Sequence, residues 1–297
     1  MKPTATRALS TLLLAASLCA CASPSTTTTT IEAEEPPRRA AIPTHETMLA
    51  DLVENSRITI LGETHGNKIS PETAGYLAEE VLRVQGAVTV GLEIPEREQG
   101  RLQSYLEGEG TDRERCLLLD SHFWSPHSAD GRSSLAKLEL IERLRSLREE
   151  GHDVEILAFD RRSGADQQSG EEGLAEAIIE YAQSRPERRL VVLTGNFHAR
   201  RAPFEFMGSE LVPMSSFIGR AVAETTTIKL DYRGGTTLAL THEGFDELLI
   251  IPSPREQEGL HGYDMDDGFY DYYWVVERAV PSPPAYRSIG GELNCGM

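Results

Sequence analysis

Two short motifs carry side chains able to move protons or hold cations. Gly62-Glu63-Thr64-His65-Gly66-Asn67 and Gly195-Asn196-Phe197-His198-Ala199-Arg200 share a Gly-x-x-His frame, and each follows a short apolar run directly. A third apolar run ends in Glu93-Ile94-Pro95 with Arg97 close behind, and a fourth ends in Asp160-Arg161-Arg162. Two imidazoles and three carboxylates, if gathered, suit two kinds of chemistry. They can ligate a divalent transition metal, with His65, Glu93, His198 and Asp160 as the donors. They can also hydrolyse without a metal: a histidine oriented by a glutamate activates water, and Arg97 or Arg200 stabilises the developing oxyanion. Spacing alone does not choose between these. Asp160 has a plainer role open to it, closing the turn after its strand.

The elements must bring these residues together. Arg57 to Leu61, Ala87 to Glu93, Val154 to Phe159 and Leu190 to Thr194 are short apolar runs bounded by Gly or Pro, the pattern of buried strands. Between them, Pro71 to Gln85, Glu96 to Leu106, Ser134 to Glu150 and Glu171 to Ser184 carry apolar residues at helical spacing. Strands alternating with helices imply crossover units, a mostly parallel sheet and an α/β fold. In such sheets the ligand crevice lies outside the carboxyl ends of the strands. Glu63, His65, Glu93, Asp160 and His198 therefore converge on one edge. Thr226 to Asp231 and Thr236 to Thr241 flank Arg233-Gly234-Gly235 and read as a β-hairpin extension near the C-terminus. Residues 108–133 read as an irregular insert, and loops of that length at a sheet edge often serve as lids. Within it, Arg132 of Asp130-Gly131-Arg132 is a candidate clamp for an anionic substrate, and Ser133 suits a helix N-cap.

Composition excludes several classes. The 297 residues carry 29 basic and 47 acidic side chains, a net charge of −18. A nucleic-acid binder needs a basic footprint, so nucleic acid is not an expected partner. There is no Gly-x-Ser-x-Gly elbow, P-loop or dinucleotide fingerprint. Asp264-Met265-Asp266-Asp267-Gly268 lacks the alternating ligands of a Ca²⁺ loop and reads as a solvated acidic turn.

The N-terminus reads as an address and an anchor. Lys2 and Arg7 precede a short apolar stretch, and Leu18-Cys19-Ala20-Cys21 resembles the lipobox of bacterial lipoproteins. Residues 1–20 are then a signal peptide, Cys21 the acylated residue (palmitate among its chains), and the lipid bilayer a partner. Residues 21–43, with a run of threonines and then Glu34-Glu35-Pro36-Pro37, form a tether that cannot bury enough surface to fold. Residues 44–297 make one globular domain. Lacking an Asp after the cysteine, the chain is expected on the periplasmic face of the outer membrane. Cys116 and Cys295 could pair in that oxidising compartment.

With Gly62-Glu63-Thr64-His65, Glu93 at a strand end and Gly195-Asn196-Phe197-His198, the chain resembles the haem-binding uptake/Tiki superfamily. That grouping spans ChaN-type haem-binding lipoproteins, Tiki-type metalloproteases and erythromycin-esterase-like hydrolases. The resemblance covers roughly residues 55–220 and implies an α/β fold with the pocket above the sheet. Carried over from the proteases, it implies a metal site of His65, His198 and Glu93; carried over from the esterases, it implies His65 as base. The esterases have one residue more between Glu and His than this motif does. The ChaN branch implies haem bound by a homodimer through a tyrosine, for which Tyr76, Tyr105 and Tyr181 are candidates by sequence proximity alone. Two functions follow as expectations. One is a lipoprotein hydrolase of an ester or amide, acting on a small-molecule or peptide substrate through Glu63, His65, Glu93 and His198, with Arg97, Arg132 and Arg200 contacting substrate. The alternative is a haem or iron-tetrapyrrole carrier.

Overall fold

The four apolar runs fold as neighbouring parallel strands, and each helical stretch covers one sheet face. A computed structural model describes residues 45–126, 130–162, 166–241, 244–262 and 268–288. All belong to the unit Pro43–Met297; the other unit, Met1–Ile42, lies outside the described residues. The signal peptide, Cys21, the tether, Asp264–Asp267 and Cys295 also lie outside them. Cys116 is disulfide-bonded.

Strands β1 (Ile58–Glu63), β2 (Ala87–Pro95), β3 (Asp153–Asp160) and β4 (Arg189–Gly195) stand in the order β1-β4-β2-β3, all parallel. Their side chains alternate between two apolar layers. Leu61, Val90, Leu92, Val191 and Leu193 face helices α1 (His45–Asn55), α2 (Ile69–Gln85), α3 (Gln99–Leu106), α4 (Asp112–Leu119) and α5 (Leu135–Glu149). Ile58, Ile60, Leu190 and Val192 face α6 (Gln167–Ser184) and α7 (Met214–Ala221). Burial on both faces explains why these strands read as continuous apolar runs rather than alternating ones. The result is the expected α/β architecture. Among the described residues no helix is long and apolar enough to cross a membrane.

Three expectations are corrected. The insert at 108–133 contains α4, capped by a reciprocal pair between Thr111 and Glu114; Thr-x-x-Glu is a legible start signal, obscured here by the flanking glycines. The N-cap of α5 is Ser134, whose hydroxyl accepts from Lys137 N at 3.3 Å, rather than Ser133. The expected hairpin pairs differently. After β5 (Phe204–Phe206) and β6 (Ser209–Leu211), β7 (Thr225–Tyr232) joins the main sheet parallel to β1. β8 (Thr236–Thr241) pairs antiparallel with β9 (Gly244–Leu249). Ile228, Leu230 and Tyr232 are buried, and a strand with that much apolar surface belongs inside a sheet. The segment after Pro252 adds β10 (Gly259–Gly262) and β11 (Tyr272–Val276), completing seven strands in which only β10 runs antiparallel.

Candidate active site

The carboxyl ends of β1, β4, β2 and β3 lie side by side, so Glu63, Gly195, Glu93 and Asp160 form a row. Glu63 and Gly195 are ladder partners, and Asn196 N donates to Glu63 O at 2.9 Å. The turn after β1 is fixed by Asn67, which is fully buried. Its Oδ1 accepts from Ser70 N at 3.0 Å, and its amide donates to Thr64 O. Gly66 sits at φ +76°, with Leu238 O only 1.9 Å from where a Cβ would be. That position therefore requires glycine.

His65 and His198 border the same small space. A methyl group built on Gly195 would lie 3.1 Å from His65 Nε2 and 3.4 Å from His198 Cδ2. Each ring is held through its other nitrogen by its own buried glutamate. His65 Nδ1 lies 3.1 Å from Glu63 Oε1, and His198 Nδ1 lies 2.6 Å from Glu171 Oε1. The glutamates are fixed in turn. Lys137 Nζ donates to Glu63 Oε1 at 2.9 Å, and Met214 N donates to Glu171 Oε2 at 2.8 Å. The site thus contains two Glu–His dyads facing one another across a glycine.

Glu93 lies beneath both. Its Oε2 accepts from Thr194 Oγ1 and Gly195 N, each at 2.8 Å. Its Oε1 lies 3.8 Å from His198 Nε2, 3.2 Å from Arg162 Nη2 and 3.4 Å from Arg132 Nη1. Asp160 takes both arginines: Arg132 Nη1 at 2.8 Å and Arg162 Nη2 at 2.5 Å.

The charges follow from these contacts. Burial opposes ionisation of Glu63, but Lys137 and His65 outweigh it and hold its carboxyl below the ordinary carboxylate range. Glu93 is likewise buried and still strongly acidic, because His198, His65, Arg132 and Arg162 surround it. Asp160 is depressed against its partial burial by Arg162 and Arg132. His198 moves upward: burial disfavours its cation, but the Glu171 hydrogen bond and the charge of Glu93 prevail.

Sequence reasoning placed Glu63, His65, Glu93, Asp160 and His198 on one edge, and the structure brings all five there. It distributes the arginines differently. Arg97 points outward beside Glu98 at 3.7 Å with its side chain 65% exposed. Arg200 lies over the rings of Phe197, Phe204 and Phe269 at 5.1, 4.3 and 4.6 Å. Arg132 does reach the site, but Asp130, Asp160 and Glu93 occupy its guanidinium. Lys137, Arg162 and Glu171 went unforeseen. Lys137 had a signal, because Lys137, Leu140, Ile141 and Leu144 form one buried stripe on α5, where a cation needs a partner. Tyr76 packs edge-on against Trp274, Tyr105 bonds to Glu142, and Tyr181 bonds to Glu155 and Thr89, so none of the three tyrosines contacts the site residues.

The donor set does not fit the expected divalent metal. Among the described residues no group of three His, Cys, Asp or Glu could hold one ion. The chemical reason lies in the cations: Lys137 holds Glu63, and Arg132 and Arg162 hold Asp160 and flank Glu93. Those carboxylates are already neutralised, and a metal would face two guanidinium groups.

No protein-family model matches the chain, and no curated protein matches it. Solved structures do. A mutant of the erythromycin esterase EreC in its open conformation matches with TM-score 0.60 and 13% identity, over 79% of this chain and 93% of that one. A succinoglycan biosynthesis protein matches with TM-score 0.63 and 11% identity, over 80% and 91%. ChaN of Campylobacter jejuni, which binds haem cofacially, matches with TM-score 0.47 and 11% identity, over 77% and 90%. At such identities the likeness is one of fold alone, and the chain shares the fold of the esterase and of the succinoglycan biosynthesis protein.

Proposed function

We propose that this protein is a hydrolase of an ester or amide working by metal-free acid–base chemistry at Glu63, His65, Glu93 and His198. The observation that carries the reading is the pair of imidazoles bordering Gly195, each tied through Nδ1 to its own buried glutamate. His65, oriented by Glu63, leaves Nε2 free to take a proton from water. His198, whose pKa is raised, holds a proton more firmly than a free imidazole and is the group placed to donate one to the leaving group or to the developing oxyanion. Arg132 and Arg162 neutralise Glu93 and Asp160, so these carboxylates do not oppose negative charge forming in the same space. Placement in the cell envelope rests on the N-terminal sequence.

The haem alternative would need an iron ligand, and the tyrosines named for that role are engaged elsewhere. The test is hydrolysis of a neutral activated ester such as 4-nitrophenyl acetate by the purified chain, with its His65→Ala variant beside it. Loss of the base should lower kcat/KM by ~10²–10⁴-fold. A variant within a few-fold of the parent would overturn the assignment.

A further inference from the structure

A cleft of ≈ 480 Å³ opens beside His198. That volume suits a ligand of drug-like size. Its two walls differ. One is Phe197, Phe204, Phe206 and Leu211, contributed by the second Gly-x-x-His motif and the β5–β6 hairpin. The other is the start of α6 with Arg162, Asp166 and Glu171.

The charges on the polar wall are all engaged. Asp166 caps α6 through Ser169 N at 2.8 Å, Glu171 holds His198 and Met214 N, and Arg162 holds Asp160. That wall has no spare charge for a charged ligand group. The apolar wall is an ordered ring cluster. Phe197 and Phe204 stack at 5.8 Å and 22°, and Phe206 meets both edge-on at 5.9 and 6.1 Å. Arg200 braces the cluster, with its guanidinium over Phe197 and Phe204. Yet Phe197 remains 47% exposed. An aromatic face held rigid and half open to solvent is a surface prepared for another ring.

We infer that the cleft takes an uncharged aromatic ring of the substrate, so that the class hydrolysed is a neutral ester carrying a ring one or two bonds from the ester group. The inference rests on the hydrolytic reading for the position of the carbonyl, beside His198, and on the cleft for the ring. In the reaction water adds its oxygen to the carbonyl carbon, and the bond from that carbon to the alkoxy oxygen breaks. His65 takes one water proton and the other stays on the carboxylic acid product; His198 supplies the proton that the leaving oxygen takes up, and the proton held by His65 returns to His198 through solvent to restore both.

The experiment compares 2-naphthylmethyl acetate with cyclohexylmethyl acetate and ethyl acetate. All three leave as simple alkoxides, so reactivity alone does not favour the ring. The full chain should prefer the naphthylmethyl ester over the cyclohexylmethyl ester by about tenfold in kcat/KM, within the range a single apolar pocket confers. Phe206→Leu, which keeps bulk but removes a ring at the half-buried rim, should shrink that ratio, and Phe206→Ala should shrink it further. Binding of 2-naphthylmethanol, followed by calorimetry, gives a readout independent of turnover. Equal hydrolysis of the ring and cyclohexyl esters overturns the inference while the hydrolase reading stands. Saturable binding of naphthylmethanol without hydrolysis of any ester overturns the hydrolase reading and the ester class with it, keeping only a ring-binding cleft. Neither binding nor hydrolysis overturns both.

Discussion

Replacing Lys137 by methionine should be among the most damaging single changes available in this protein. Its ammonium is 2% exposed and lies 2.9 Å from Glu63 Oε1, itself 2% exposed. Methionine fills similar volume, so the change removes a charge more than a shape. It leaves Glu63 buried with only His65 as an ionic partner. Breaking a buried pair by removing one partner typically costs ~3–5 kcal/mol. The remaining contact to His65 argues for the lower end. For a domain of this size that corresponds to a fall in Tm on the order of 10 °C. Urea unfolding followed by the fluorescence of the buried Trp124 and Trp274 measures the loss. The pH dependence separates charge from packing. In the parent the Glu63 pKa is depressed, so its contribution is present above about 4.5 and is lost as pH falls through the folded value. In the variant burial dominates and the pKa rises, so folding is penalised near neutrality and relieved as Glu63 protonates. The gap between parent and variant should therefore be widest near pH 7 and narrow toward pH 4. Adding Glu63→Gln should recover a large part of the loss, since no orphan charge remains. A single variant losing less than about 1 kcal/mol, or a gap that does not vary with pH, would refute the reasoning.

Other outcomes are expected. Gly195→Ala would put a methyl 3.1 Å from His65 Nε2 and in ordinary contact, 3.4 Å, with His198 Cδ2; the His65 ring must give by a few tenths of an ångström, and kcat/KM should fall by about tenfold with an unchanged circular dichroism spectrum. His198 has a raised pKa, so its pair with Glu171 stabilises the fold below about 6.5, and that contribution is lost as pH rises through the folded value; the stability gap between parent and His198→Gln should be larger at pH 6 than at pH 9. Dialysis against a chelator should leave hydrolysis unchanged, because the carboxylates that would ligate a metal are held by Lys137, Arg132 and Arg162. Cys21→Ala should abolish palmitate incorporation and move the protein from the membrane fraction to the soluble one.

Much of the fold and the core of the site were legible because both depend on local pattern. Apolar runs ending in Gly or Pro mark buried parallel strands, and parallel strands carry their terminal residues to one edge whatever lies between them. Glu63, His65, Glu93 and His198 needed nothing more. The partners that tune them were hidden for a physical reason. Lys137 and Glu171 stand on α5 and α6, and whether a helical residue faces the site depends on how the helix is rotated against the sheet. Sequence can show an odd cation on an apolar stripe, as at Lys137, but not what it meets. The arginines show the same limit. Arg162 and Arg200 both lie in the turn that leaves a strand end, yet one reaches Glu93 and the other is held among phenylalanines. The hairpin error has a similar source: Gly234-Gly235 permits a tight reversal, but the burial of Ile228 and Leu230 decided where β7 goes.

Glu63 and Gly195 are ladder partners, and a further backbone bond from Asn196 N to Glu63 O joins the two turns that leave the sheet there. The consequence is a restriction on chain length. Inserting or deleting one residue just before either turn would rotate every later side chain of that segment by half a pleat, carrying its imidazole away from the shared glycine. The opposite segment could not follow, because its own register is fixed by the neighbours on its far side. The two loops can tolerate many exchanges of side chain, then, but neither can change in length by itself.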